Sequence, residues 1–205
     1  ASPSENTREY RFHRDPWAAN LISICGGKLT TSRSLGEKLV DQVVASLPGS
    51  SPARWANHPT RTAPLPGGHT DSFEDYFKDA TADAVRQFDV PRAAAERVVR
   101  TYGTRWQQVL EPIRSERNLA YLLSGTEDCL GAEVAFAIEN EMARELDDFI
   151  LRRSGLNWYA AYALREALPQ VAEIFGERLG WDAAKREVAI AEFQKSGHFS
   201  YEGRA

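Results

Sequence analysis

Cysteine is almost missing from this sequence, with Cys25 and Cys129 the two among 205 residues. They form no Cys-x-x-Cys pair, and the four histidines at 13, 58, 69 and 198 never stand four apart. No metal site is expected from that spacing. Two thiols on apolar-looking stretches fit a reducing, cytoplasmic setting, although one disulfide would also satisfy the count. Basic charge is short as well. Lys and Arg number 25 against 29 Asp and Glu, a net charge of −4, so the basic field that meets phosphates in general nucleic-acid binders is lacking. No apolar run approaches the roughly 18 residues of a membrane-spanning helix, which leaves peripheral contact as the only membrane role to expect. There is no Gly-x-Gly-x-x-Gly, no P-loop and no Gly-x-Ser-x-Gly. Internal repeats are absent, and strand patterns stop near residue 60.

What is there reads as a soluble globular chain, 42% hydrophobic and 26% charged, long enough for one or two domains with a core. Ala1-Ser2-Pro3-Ser4 carries no initiator Met and no signal pattern, and reads as the interior of a longer polypeptide. Residues 7–12 alternate loosely and predict a strand pairing with Leu21–Cys25 across Asp15-Pro16-Trp17. Leu35, Leu39, Val40, Val43, Val44 and Leu47 recur at helical spacing and predict a helix over 31–47, stopped by Pro48-Gly49. Prolines at 48, 52, 59, 64 and 66 then interrupt every period, so the chain divides into a first domain over 1–47, a linker over 48–68 and a helical domain over 69–205.

Beyond the linker each helix has its punctuation. Asp71 or Ser72 caps a helix through Phe73, Tyr76, Phe77, Val85 and Phe88. Pro91 opens the next and Gly103 stops it. A short helix follows over 104–110, then an apolar patch at Leu119 and Tyr121–Leu123 before a turn at Gly125. The longest element is expected over 128–153, with Leu130, Val134, Ile138, Met142, Leu146, Phe149 and Ile150 as one stripe and Glu133, Glu139 and Glu141 on other faces. Asp128, Glu133 and Glu139 lack the Glu-x-x-His partners of a di-metal bundle and read as solvated or capping groups. Arg152-Arg153 complements a helix C-terminus and pairs with Asp147, Asp148 or Glu145. Two more helices follow, the first broken or kinked at Pro169, with Gly180-Trp181-Asp182 between them.

The stretch that can carry chemistry is Gly26-Gly27-Lys28-Leu29-Thr30-Thr31-Ser32-Arg33, between the apolar strand and the first helix. Two glycines let backbone approach a ligand, Thr30 or Thr31 can cap the helix, and the N–H groups of its first turn can meet an anion or polarised carbonyl. Lys28 adds a movable charge. Cys25 just ahead of it is read as buried rather than reactive. Taken alone, Gly-Gly-Lys is more often an ordinary strand-to-helix turn than a site.

The whole octapeptide is more specific. It resembles the Gly-Gly-Lys-[Leu/Trp]-Thr-Thr-[Tyr/Phe]-Arg signature of FAD-dependent glycerol-3-phosphate dehydrogenases. Thr7-Arg8-Glu9-Tyr10, Leu65-Pro66-Gly67-Gly68, Arg100-Thr101-Tyr102-Gly103, the Glu133–Arg153 stretch and Leu179-Gly180-Trp181-Asp182 resemble further segments of that family, in the same order. Ser32 departs from its usual aromatic residue, and Ser154-Gly155 stands where Thr-Arg is common, a change expected to alter a surface of the helical domain. The resemblance implies a mainly α chain: a helical C-terminal bundle preceded by the last strands and final helix of an α/β FAD-binding domain. It implies FAD held mainly by residues outside this chain, with Gly26, Gly27, Leu29, Thr30 and Thr31 beside it and Arg8 and Lys28 facing the substrate. The reaction implied oxidises sn-glycerol 3-phosphate to dihydroxyacetone phosphate and passes electrons to a membrane quinone. A glycerol-3-phosphate oxidase shares these motifs, and the helical domain could instead serve membrane docking at the inner face of the cytoplasmic membrane, homodimerisation or partner binding. The proton acceptor is not assignable within this chain.

Overall fold

The computed structural model describes residues 9–18, 20–49 and 58–196. They belong to two compact units, 1–64 and 65–205.

The first unit opens with strand β1 (Arg11–Arg14), paired antiparallel with β2 (Ile22–Cys25) so that Phe12 faces Ile24 and His13 faces Ser23. The expected pairing of the two runs is present, but the first strand begins later than residue 7. A 3-10 turn, Leu29–Thr31, leads into helix α1 (Ser32–Ser46). Its apolar stripe is largely uncovered: Val44 is buried, whereas Val40 and Leu47 are each more than half exposed. β2 likewise buries no residue, and Cys25, expected inside, is exposed. A two-stranded sheet gives each strand one neighbour, so an apolar strand end has nothing to lie under.

The second unit is helical: α2 (Phe73–Phe88), α3 (Arg92–Tyr102), α4 (Trp106–Leu110), α5 (Gly131–Asn140), α6 (Leu156–Tyr159), α7 (Leu164–Leu179) and α8 (Ala183–Lys195). α2 packs on α3, and α5 on α7. Phe136, Phe149 and Phe175 are the largest side chains with no exposed surface. Residues 130–137 are all buried, which makes α5 the central helix, apolar on every side. Among the described residues, no helix is long and apolar enough to cross a membrane.

Punctuation read from sequence is largely where expected. The Ser72 side chain accepts the Asp75 N–H and caps α2, Gly103 ends α3 at φ 55°, and Gly180 ends α7 at φ 69°. Ser72→Ala removes the cap and is expected to cost about 1 kcal/mol, lowering the midpoint of thermal unfolding by about 2–4 °C. A shift below the resolution of the melt would show that the cap is idle. Pro169 does not break α7, because it stands in the second turn and removes a single backbone bond.

One expectation is overturned: 128–153 is not one helix. α5 ends after Asn140, Met142 turns left-handed at φ 59°, and a π-helical turn covers Asp148–Arg153. Met142, assigned to the buried stripe, is 79% exposed. The cause is polar. Asp148 takes the N–H groups of Arg144 and Glu145 at 2.9 and 3.1 Å, capping the second segment from within. Arg153 donates to the Glu141 carbonyl at 2.6 Å, closing the end of the first. Arg152 and Arg153 both pair with Asp148, one of the partners expected.

At the start of this unit two glycines meet. Thr104 N–H donates to the Gly67 carbonyl at 2.9 Å. A Cβ on Gly67 would lie 2.5 Å from the Tyr102 carbonyl oxygen, and one on Gly103 would lie 2.0 Å from that of Gly67. Backbone touches backbone at both positions, leaving no room for a side chain.

Candidate functional site

β2 delivers the chain to Gly26 and Gly27, at φ 84° and 99°, conformations that other residues adopt at a cost. The glycines also face inward. A Cβ on Gly26 would sit 2.5 Å from the Glu9 carbonyl oxygen, and one on Gly27 would touch Leu35 and Tyr10. Their backbone therefore folds tightly against the chain's own β1 approach, and Lys28 follows in extended conformation. Lys28, Leu29, Thr30 and Thr31 are all exposed, and Leu29 is 90% so. All the candidate cofactor residues and Lys28 thus share one exposed turn, whereas Arg8 lies outside the described residues.

Neither threonine caps α1. The Thr31 hydroxyl donates back to the Lys28 carbonyl at 3.0 Å, and no side chain caps the 3-10 turn or α1. The N–H groups of Thr31 and Ser32 instead go to the Lys28 and Leu29 carbonyls, so backbone rather than a side chain closes the start of α1. Arg33 is committed elsewhere: it donates to Glu37 at 2.6 Å, as does Arg61, with His58 3.7 Å away. Hydrogen bonds from Arg61 and Arg33 pull the Glu37 carboxyl down to about 2. Arg61, in the 3-10 turn Pro59–Arg61, is thereby tied to α1. With Arg33 occupied, Lys28 is the cation of the octapeptide left to meet a ligand.

A second polar centre, which the sequence reading missed, lies inside the helical unit. Glu133 has no exposed surface. Its carboxylate accepts the Leu130 N–H at 3.2 Å and lies 3.1 and 3.2 Å from Arg97 Nε. Arg97 also donates to the Ser154 carbonyl at 3.0 Å and stacks over the Tyr159 ring at 5.1 Å. Burial pushes Glu133 upward, while Arg97 and the Leu130 N–H favour its charge. The guanidinium, the stronger base, keeps its proton and gives Glu133 a counter-charge. Burial also raises Tyr102, whose hydroxyl is enclosed without a hydrogen-bond partner, and the Cys129 thiol. Glu133 therefore caps as expected but is not solvated. Gly-Ala-x-Val-Ala-Phe-Ala-Ile around it was the available signal, since a helix apolar all round carries its one charge into the core. The Ser154-Gly155 departure falls at this centre, where Ser154 is buried, rather than on a surface.

The helical unit has a hollow of about 300 Å³ lined by Asn118, Tyr121, Gln170, Glu173, Ile174 and Glu177 among others, with no histidine or cysteine. Among the described residues, no three His, Cys, Asp or Glu side chains gather to hold a metal ion.

Comparison with known proteins places these features. Residues 58–186 match the model of a family described as the C-terminal domain of alpha-glycerophosphate oxidase. A glycerol-3-phosphate dehydrogenase of Pseudomonas aeruginosa is 32% identical over 170 residues, covering 82% of this chain and 31% of the relative. The aerobic glycerol-3-phosphate dehydrogenase of Bacillus subtilis is 27% identical over 200 residues, covering 96% and 35%. The solved glycerol-3-phosphate dehydrogenase of Bacillus halodurans, complexed with FAD, superimposes with a TM-score of 0.66 at 20% identity, over 90% of this chain and 36% of that one. The chain thus spans about a third of the length of these relatives.

Proposed function

The chain belongs to the family of the C-terminal domain of alpha-glycerophosphate oxidase, and from that premise we propose that it is the C-terminal part of a flavoprotein oxidising sn-glycerol 3-phosphate to dihydroxyacetone phosphate. The observation that carries this is the exposed turn 26–31 leading into an uncapped helix, in a chain related to glycerol-3-phosphate dehydrogenases over most of its length. In this reading 1–47 completes the FAD and substrate domain, 48–68 links, and 69–205 is the helical domain.

The residues present fit part of a flavin site. In this reading the positive end of α1 would face a position where negative charge develops, and Gly26, Gly27, Leu29, Thr30 and Thr31 would shape the backbone beside it. A helix dipole contributes up to about 2 kcal/mol in a partly buried site, or roughly 40 mV for a two-electron couple, enough to tune the cofactor rather than define its chemistry. FAD, when bound, supplies the electron acceptor. Lys28, and Arg8 beyond the described residues, would hold the substrate phosphate or polarise its carbinol, Lys as a point charge and Arg as a fork.

A membrane quinone is the next acceptor in this reading, and oxygen is the alternative, the family description naming an oxidase. Comparing peroxide with reduced quinone, per substrate consumed by the longer polypeptide that carries this chain, separates the two.

The test is an assay of that polypeptide with FAD, sn-glycerol 3-phosphate and a soluble dye. Substrate-dependent dye reduction is expected, and its absence overturns the reading. Lys28→Met should lower kcat/KM about 100-fold, the loss of a charge-assisted hydrogen bond of up to about 3 kcal/mol. The 205-residue chain alone is expected to bind FAD weakly and to turn over nothing; robust turnover would contradict that division of labour.

A further inference from the structure

The glycine turn has a support that no motif reading assigns. Tyr10, just before β1, lies against its back: a Cβ on Gly26 would be 3.5 Å from Tyr10 Cα, and one on Gly27 would be 3.7 Å from Tyr10 Cβ. The tyrosine is half-buried and meets Phe12 edge to face at 5.5 Å. Its hydroxyl accepts a hydrogen bond from Lys38 Nζ at 2.5 Å, and the same ammonium lies 5.3 Å from its ring centroid. Lys38 is on α1, so the Tyr10 residue whose Cα and Cβ back the glycine turn is held through its ring and hydroxyl by the helix that follows Lys28.

We propose that Tyr10 and Lys38 form a positioning pair that fixes the turn and so aims Lys28 and the start of α1. This rests on the reading of Lys28 as a substrate-binding residue. A purely architectural role predicts something different. Lys38 is exposed, and a surface contact of this kind contributes little to stability. Losing it should leave folding nearly intact while the turn relaxes. Because the hydroxyl is an acceptor for a charged donor, Tyr10→Phe and Lys38→Met remove the same bond from opposite sides, and Lys38→Arg restores a donor.

The variants are made in the longer polypeptide and in the 205-residue chain. Expected in the former is a KM for sn-glycerol 3-phosphate raised about five- to tenfold by Tyr10→Phe and by Lys38→Met, no greater in the double variant, with kcat within about twofold. Lys38→Arg should recover most of the loss. In the 205-residue chain the amide resonances of Gly26, Gly27 and Lys28 should move while those of the helical unit stay. If both single variants keep the parental KM while Lys28→Met raises it, the pair does not position the turn and the substrate reading stands. If Lys28→Met also leaves both KM and kcat/KM unchanged, the substrate reading and this proposal fall together. Unmoved turn amides overturn the proposal without reference to activity.

Discussion

Arg97→Met is expected to cost the helical unit about 3–5 kcal/mol, far more than its change of volume would. The guanidinium is the counter-charge of a carboxylate with no exposed surface, and it also satisfies the Ser154 carbonyl. Without it Glu133 keeps the Leu130 N–H but must carry an uncompensated charge or take up a proton. The second course makes the loss depend on pH. In the variant the folded-state pKa of Glu133, already raised by burial, rises further, so stability is retained below the ordinary carboxylate range and is lost as pH rises through the folded value. Urea unfolding at pH 5 and pH 8 should therefore show a smaller penalty at the lower pH. Glu133→Gln cannot be rescued in this way, since Arg97 does not deprotonate. A double replacement by apolar residues should cost much less than the two single losses together, because neither partner is left charged. Single penalties below about 1 kcal/mol, or strictly additive ones, would show that the pair is not the keystone described.

That centre also marks where the sequence was hard to read. Helix ends were legible because they depend on a residue or two: Ser72, Pro91, Gly103 and Gly180 each act on their own backbone. The interruption at 141–147 was not, because Asp148 and Arg153 act on residues before them in the chain, and a regular apolar stripe through Met142 conceals both caps. Glu133 was assigned from its own polarity, whereas its neighbours on every face of α5 are apolar. In the candidate site, the glycine turn was visible as a motif, but the reason for its glycines lay in a contact with Glu9 and Tyr10, and Thr31 turned to Lys28 instead of to the helix. Local chemistry was legible, and chemistry between segments was not.

The second large effect belongs to such a contact. Gly103→Ala is expected to destabilise the helical unit by about 2–6 kcal/mol, from a backbone strain of roughly 1–3 kcal/mol at φ 55°, ψ −130° and an overpacking cost of about 1–3 kcal/mol. The overlap cannot be relieved by rotating a side chain, since the new Cβ would meet the Gly67 carbonyl oxygen at 2.0 Å. Something in the backbone must move, and the candidate is the segment at Gly67, whose carbonyl holds the Thr104 N–H. The damage should then begin at the start of the unit. Hydrogen exchange at Thr104 is expected to accelerate strongly while amides in α5 and α7 accelerate least, the mark of local opening. Gly180→Ala is a partial control: its φ is also positive, 69°, with nothing within 4 Å of the added carbon. Its ψ of 33° is left-handed helical where that of Gly103 is −130°, so it shows the ordinary left-handed penalty alone. If the two substitutions cost the same, the contact between Gly67 and Gly103 adds nothing beyond backbone strain. If Gly103→Ala costs more by about 1 kcal/mol or greater, the close approach to Gly67 and the ψ of −130° together, rather than a positive φ alone, demand glycine there.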